Sequence, residues 1–117
     1  MDLVGNINLN KLVEIDDELF SYYGIKLENT SFVSDDSTLN IYGEISSTQG
    51  NKIKNDLMVL FAFHSNDGIE KVECCYIDKG DFFKGKLIRE EIYFKTEKKL
   101  ISFKAKINRI VVRVEKN

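Results

Sequence analysis

The chain has no proline, one histidine and two cysteines in 117 residues. Each scarcity removes a class of function. The two cysteines, Cys74 and Cys75, are neighbours, so they do not make a disulfide framework. A zinc site wants three or four converging ligands, and His64 with two adjacent cysteines falls short of that. The glycines at 43, 50, 68, 80 and 85 are isolated, and neither a Gly-rich phosphate loop nor a Gly-x-Ser-x-Gly elbow is present. No apolar run approaches the roughly 18 residues that span a bilayer. The stretch MDLVGNINLNKLVEIDDELF has no basic n-region and no apolar h-region, so no signal peptide is expected. With the unpaired cysteines, this favours a cytoplasmic setting. The cell envelope is the alternative if the chain is an excised domain. No repeat, low-complexity segment or Pro/Gly/Ser-rich linker interrupts the chain.

What remains has the make-up of one soluble globular domain. Hydrophobic residues are 43% and charged residues 31%, and this length can bury about two-thirds of its unfolded surface without staples. The net charge of −2 hides an asymmetry. Residues 1–83 carry 6 basic and 15 acidic side chains, whereas residues 84–117 carry 11 and 4. Acidic and basic strands that neighbour each other in one sheet would pair across strands.

Hydrophobic spacing predicts one helix over residues 10–23. Asn10 is its N-cap, Leu12, Ile15, Leu19 and Tyr22 form its apolar stripe, and Gly24 is its C′ residue. Beyond Gly24 the period becomes two. Strands are expected around GIKLENTSFV, TLNIYGEI, DLMVLFAFH, LIREEIYF and KLISFKAKI, with a phase shift at Asn108-Arg109 before Ile110, Val112 and Val114. DLMVLFAFH is apolar on both faces, as suits a central strand. The expected fold is all-β, an immunoglobulin-like antiparallel sandwich of about six or seven strands with one short N-terminal helix. The expected division is an N-terminal arm over 1–23 and a sandwich domain over 24–117.

The densest stretch is VLFAFHSNDGIEKVECCYI, residues 59–77. Asp67-Gly68 predicts a hairpin with a two-residue loop, which pairs residues whose numbers sum to 135. Phe63 then faces Val72, Phe61 faces Cys74 and Val59 faces Tyr76. A three-residue loop, with sums of 134, sets Phe63 against Lys71 and Phe61 against Glu73, burying charge or exposing aromatics. In the preferred register Cys74 enters the core while Cys75 shares the outer face with His64 and Glu73. The two thiols therefore point apart, and neither a metal centre nor a Cys–His nucleophile pair is expected.

Gly43-Glu44-Ile45, Phe61-Ala62-Phe63, Asp67-Gly68 and Asp81-Phe82-Phe83 follow one another in an order that resembles the bacterial FxLYD-type domains and their immunoglobulin-like relatives, over roughly residues 25–107. Phe63-His64-Ser65 stands where that family has Leu-Tyr-Asp, and Lys79-Gly80-Asp81 replaces its Pro-Gly. The resemblance implies a small β-sandwich without catalytic residues. Two further patterns fall short on their residues. The Asp78-Lys79-Gly80-Asp81 loop, with Glu73 upstream, lacks the dense oxygen spacing of an EF-hand. A stripe of Lys98, Lys99, Lys104, Lys106 and Arg113 has no interleaved aromatics, and the pI of 5.5 is wrong for a nucleic-acid binder. The sequence thus predicts a non-catalytic module for protein–protein contact, with another protein or with itself. The alternative is a carbohydrate- or Ca-binding accessory module. No catalytic, cofactor or metal residue is assigned, and neither nucleic acid nor a membrane span is expected.

Overall fold

The computed structural model describes residues 8–117. Residues 1–7, which open both the stretch read for a leader and the arm expected at 1–23, lie outside the described residues. Among the described residues seven strands form two sheets around one core.

The N-terminal segment is where the chain departs first from the expected single helix. The Asn8 side chain, rather than Asn10, caps a 3₁₀ helix over Leu9–Leu12, accepting from the Asn10 N–H at 3.0 Å. The Asn10 side chain turns to accept from the Phe32 N–H at 2.8 Å. Val13–Ile15 is strand β1, and helix α1 spans only Asp17–Tyr22. The Asp16 carboxylate caps α1, accepting from the Leu19 N–H at 3.2 Å. The cause is local and tertiary together. Val13 and Ile15 are β-branched, an edge of the sheet is open to receive them, and Asp16 is a strong N-cap that restarts the helix. Gly24, with φ +74°, follows the C-cap Tyr23 as expected. Leu9 and Phe20 are buried, and Leu12, Ile15 and Leu19 pack against this chain's own core. The predicted stripe ends there, for Tyr22 is exposed.

Beyond α1 run β2 (Ile25–Asp35), β3 (Thr38–Ser47), β4 (Leu57–Ser65), β5 (Gly68–Ile77), β6 (Gly85–Tyr93), α2 (Glu97–Lys106) and β7 (Arg109–Lys116). One sheet has the order β1-β7-β4-β5 and the other β2-β3-β6. This is an all-β, sandwich-like architecture. It is not wholly antiparallel as expected, since β1 runs parallel to β7, pairing Val13 with Ile110 and Ile15 with Val112. β4 is central, as its two-sided apolar pattern predicts, with β5 on one side and β7 on the other. Its Leu57, Val59, Phe61 and Phe63 are fully buried. Phe32 from β2 meets Phe61 and Phe63 edge-on at 6.2 and 5.8 Å, tying the two sheets together.

KLISFKAKI is a helix, not a strand. Leu100, Phe103, Lys104 and Ile107 are buried and recur at i, i+3, i+4 and i+7, which is helical spacing. The Thr96 hydroxyl caps α2, accepting from the Lys99 N–H at 3.1 Å. Phe103 stacks between Phe63 and Phe94 at 5.5 and 5.1 Å, closing one end of the core. The phase shift at Asn108-Arg109 is therefore the junction from helix to strand.

Candidate functional site

The β4–β5 hairpin forms, but not in the expected register. Val59 pairs with Cys75, Phe61 with Glu73 and Phe63 with Lys71, before a shift brings His64 opposite Ile69. The loop is Asn66-Asp67, and in this turn only Gly68 has a positive φ, +116°. A type I′ turn needs positive φ at both central residues, so the Asp-Gly signal was right about the hairpin and wrong about its phase. The objection of buried charge fails because β5 is an edge strand. Only Cys75 and Ile77 of β5 are buried, and Lys71 is exposed. Glu73 is half-buried, and that burial raises its pKa, against the lowering effect of Lys71.

The cysteines are consequently exchanged relative to expectation. Cys75 enters the core, 4% exposed, and Cys74 lies on the outer face. Burial, then the Glu90 carboxylate beside it, which also accepts its hydrogen bond, pushes the Cys75 thiol up to about 12. Cys74 is also raised, by burial first and then by nearby carboxylates. Neither thiol is an activated nucleophile. Among the described residues no three His, Cys, Asp or Glu side chains converge on a metal position. In the 78–81 loop Asp78 accepts from the Gly80 N–H at 2.7 Å.

The basic stripe does not assemble. Lys104 is buried on α2, its Nζ donating to Ser34 Oγ at 2.8 Å. Lys106 pairs with Glu70 at 2.8 Å, and Arg113 with Asp16 at 3.6 Å. Glu70 is held below its ordinary value by the hydrogen bonds from Lys106 and Ser65.

The candidate site lies elsewhere, on the outer face of the three-stranded sheet. β2 carries a bulge between Glu28 and Ser31, so that Asn29 and Thr30 oppose the single residue Gly43. Asn29 adopts φ +55° and turns its side chain outward, donating to Glu44 at 3.0 Å. A Cβ on Gly43 would meet Leu27 Cδ1 at 3.2 Å, so glycine lets the strands close around the bulge. Beside it runs a shallow groove of about 370 Å³ lined by Glu28, Glu44, Lys84, Lys86 and Leu87. It adjoins a second hollow of about 300 Å³ where Tyr42 and Arg89 take part. Its far wall is β6, which ends the sheet. Along β6, Leu87 is 73% and Tyr93 72% exposed. Arg89 lies 3.7 Å from Glu91, and the Tyr93 hydroxyl donates to Glu91, which raises the tyrosine's pKa.

This surface offers recognition chemistry: exposed apolar bodies, charges of both signs and a strand edge without a partner strand among the described residues. The sequence carried a signal for it. In LIREEIYF the even-numbered Ile88 and Ile92 are the buried face, so Leu87 and Tyr93 are apolar residues on the wrong face. No family model, curated protein or solved structure matches the chain.

Proposed function

We propose that the chain is a non-catalytic β-sandwich module that contacts another protein through the outer face of the three-stranded sheet and its β6 edge. The observation that supports this is the pair Leu87 and Tyr93, each more than 70% exposed on a strand whose second edge has no partner strand among the described residues. Strand addition to such an edge draws affinity from the main chain and specificity from alternate side chains. The immunoglobulin-like reading draws support from the strand order. β2-β3-β6 facing β5-β4-β7 follows the A-B-E over C′-C-F arrangement, with β1 in the place of strand G.

Affinity capture by the tagged protein tests the proposal, comparing wild type with a Leu87→Asp/Tyr93→Asp variant of unchanged melting temperature. A partner held by wild type and lost by the variant upholds it. Partners indifferent to these two residues refute it. A carbohydrate-binding reading has one observation in its favour, the grouping of Tyr42, Asn29, Glu44 and Arg89 along the groove. A ligand of the folded state must raise the melting temperature, so a glycan panel that leaves it unmoved removes that reading.

A further inference from the structure

β1, β2, β5 and β6 each have one edge without a partner strand among the described residues, and these edges are not equivalent. β2 is bulged between Glu28 and Ser31, and its Phe32 N–H is taken by Asn10. β1 is three residues long. β5 is bulged near Lys71. Bulges are among the devices that keep strand edges from pairing. β6 has nine residues in unbroken register with β3 and no bulge.

We infer that β6 pairs with β6 of a second copy of this chain, antiparallel about a two-fold axis, with residues whose numbers sum to 180 opposite one another. This rests on the interaction-module reading and names its partner. The argument is self-complementarity, which an isologous interface requires. The outer face of β6 reads Leu87, Arg89, Glu91, Tyr93. In this register Arg89 faces the partner's Glu91 and Glu91 faces the partner's Arg89. Leu87 faces the partner's Tyr93, and Tyr93 faces the partner's Leu87. Both exposed apolar side chains and both charges are matched in one step.

Competing registers fail on the same residues. An odd sum sets the outer face of one copy against the core face of the other. A sum of 178 puts Arg89 against its twin, and a sum of 182 does the same to Glu91. At 180 the one like-charge pair across the new seam is Glu90 against its twin on the core side, beside the Cys75 thiol and Glu73. A single opposed pair is of the same order as each favourable cross-strand pair, and four favourable pairs stand against it.

Sedimentation equilibrium across a rising concentration series, to millimolar, tests this by charge exchange. The wild type is expected to dimerise reversibly. Arg89→Glu and Glu91→Arg each set like charges opposite one another twice, and each should weaken the dimer at least about tenfold. An equimolar mixture of the two variants should form a heterodimer, since Glu then faces Arg at both positions. The double exchange R89E/E91R should restore the homodimer. The mixture reports only on contacts between chains, so the loss of the Arg89–Glu91 pair within one chain does not confuse it. A wild type that stays monomeric, single variants that dimerise as well as wild type, or a mixture that stays monomeric would each overturn the inference. A monomeric wild type whose captured partner still depends on Leu87 and Tyr93 would leave the module reading standing with a different protein on the same edge.

Discussion

Thiol labelling of the adjacent cysteines separates the two hairpin registers more sharply than any stability measurement. The perturbation is an alkylating agent such as iodoacetamide, applied at pH 8 to Cys74→Ser and Cys75→Ser variants, each with one thiol left. Cys75 is 4% exposed, and its pKa is pushed from 9.0 to about 12. The thiolate is the reacting species, so that gap lowers its population about a thousandfold, equivalent to about 4 kcal/mol. Reaction at Cys75 must then wait for β5 to open. Cys74 is raised too, yet it stands half-exposed on the outer face. The expected result is labelling of Cys74 in the native protein at a rate well above that of Cys75, with the two rates converging in denaturant. Equal native rates, or a faster Cys75, would refute the register and return Cys74 to the core. The same gap fixes an alkaline limb. The folded thiol keeps its proton up to about 12 while the unfolded one releases it near 9.0. The unfolded state thus binds fewer protons across that window, and stability falls as pH rises through it.

Gly85 is exposed, yet a Cβ there would meet the Ile45 carbonyl oxygen at 2.8 Å. Gly85→Ala should therefore lower stability by about 1–3 kcal/mol in urea denaturation. Phe63→Ala removes the ring that meets both Phe32 and Phe103, and should cost about 3–5 kcal/mol by the same assay. Lys104→Met keeps the buried stem and drops the ammonium group held by Ser34. The melting temperature should hold or rise, and a clear fall would show that the ammonium group contributes more than its desolvation costs. His64→Ala, on the outer face of β4, should change stability by less than about 1 kcal/mol.

Much of the fold was legible because period two survives wherever one sheet face is buried. Ile41 and Ile45, Val59 and Phe61, and Ile110, Val112 and Val114 announce their strands and their buried faces correctly. Even the β2 bulge is written in the phase change from Ile25 and Leu27 to Phe32. What misled the reading were segments that satisfy two periods at once. Phe103 and Ile107 fit both an alternating strand and a helical stripe, and Thr96 as a cap decides between them. Leu12, Ile15 and Leu19 fit a helix, yet Val13 and Ile15 pair with β7. The candidate site was less legible, because Leu87 and Tyr93 look unremarkable until the opposite face of β6 is known to be the core.

By itself the sequence determined an all-β, two-sheet domain, the centrality of β4 and the presence of the Asp-Gly hairpin. These follow from local pattern and composition, which the chain carries residue by residue. Tertiary structure alone decided the parallel pairing of β1, the helical state of α2 and the phase of β5. Each depended on a neighbour distant in the chain: an open β7 edge, a core end in need of Phe103, and an edge position that let Lys71 stay in water while Cys75 turned inward. A shift of one residue reverses the face of every side chain in a strand, and only the packing of the other sheet selects between the two phases.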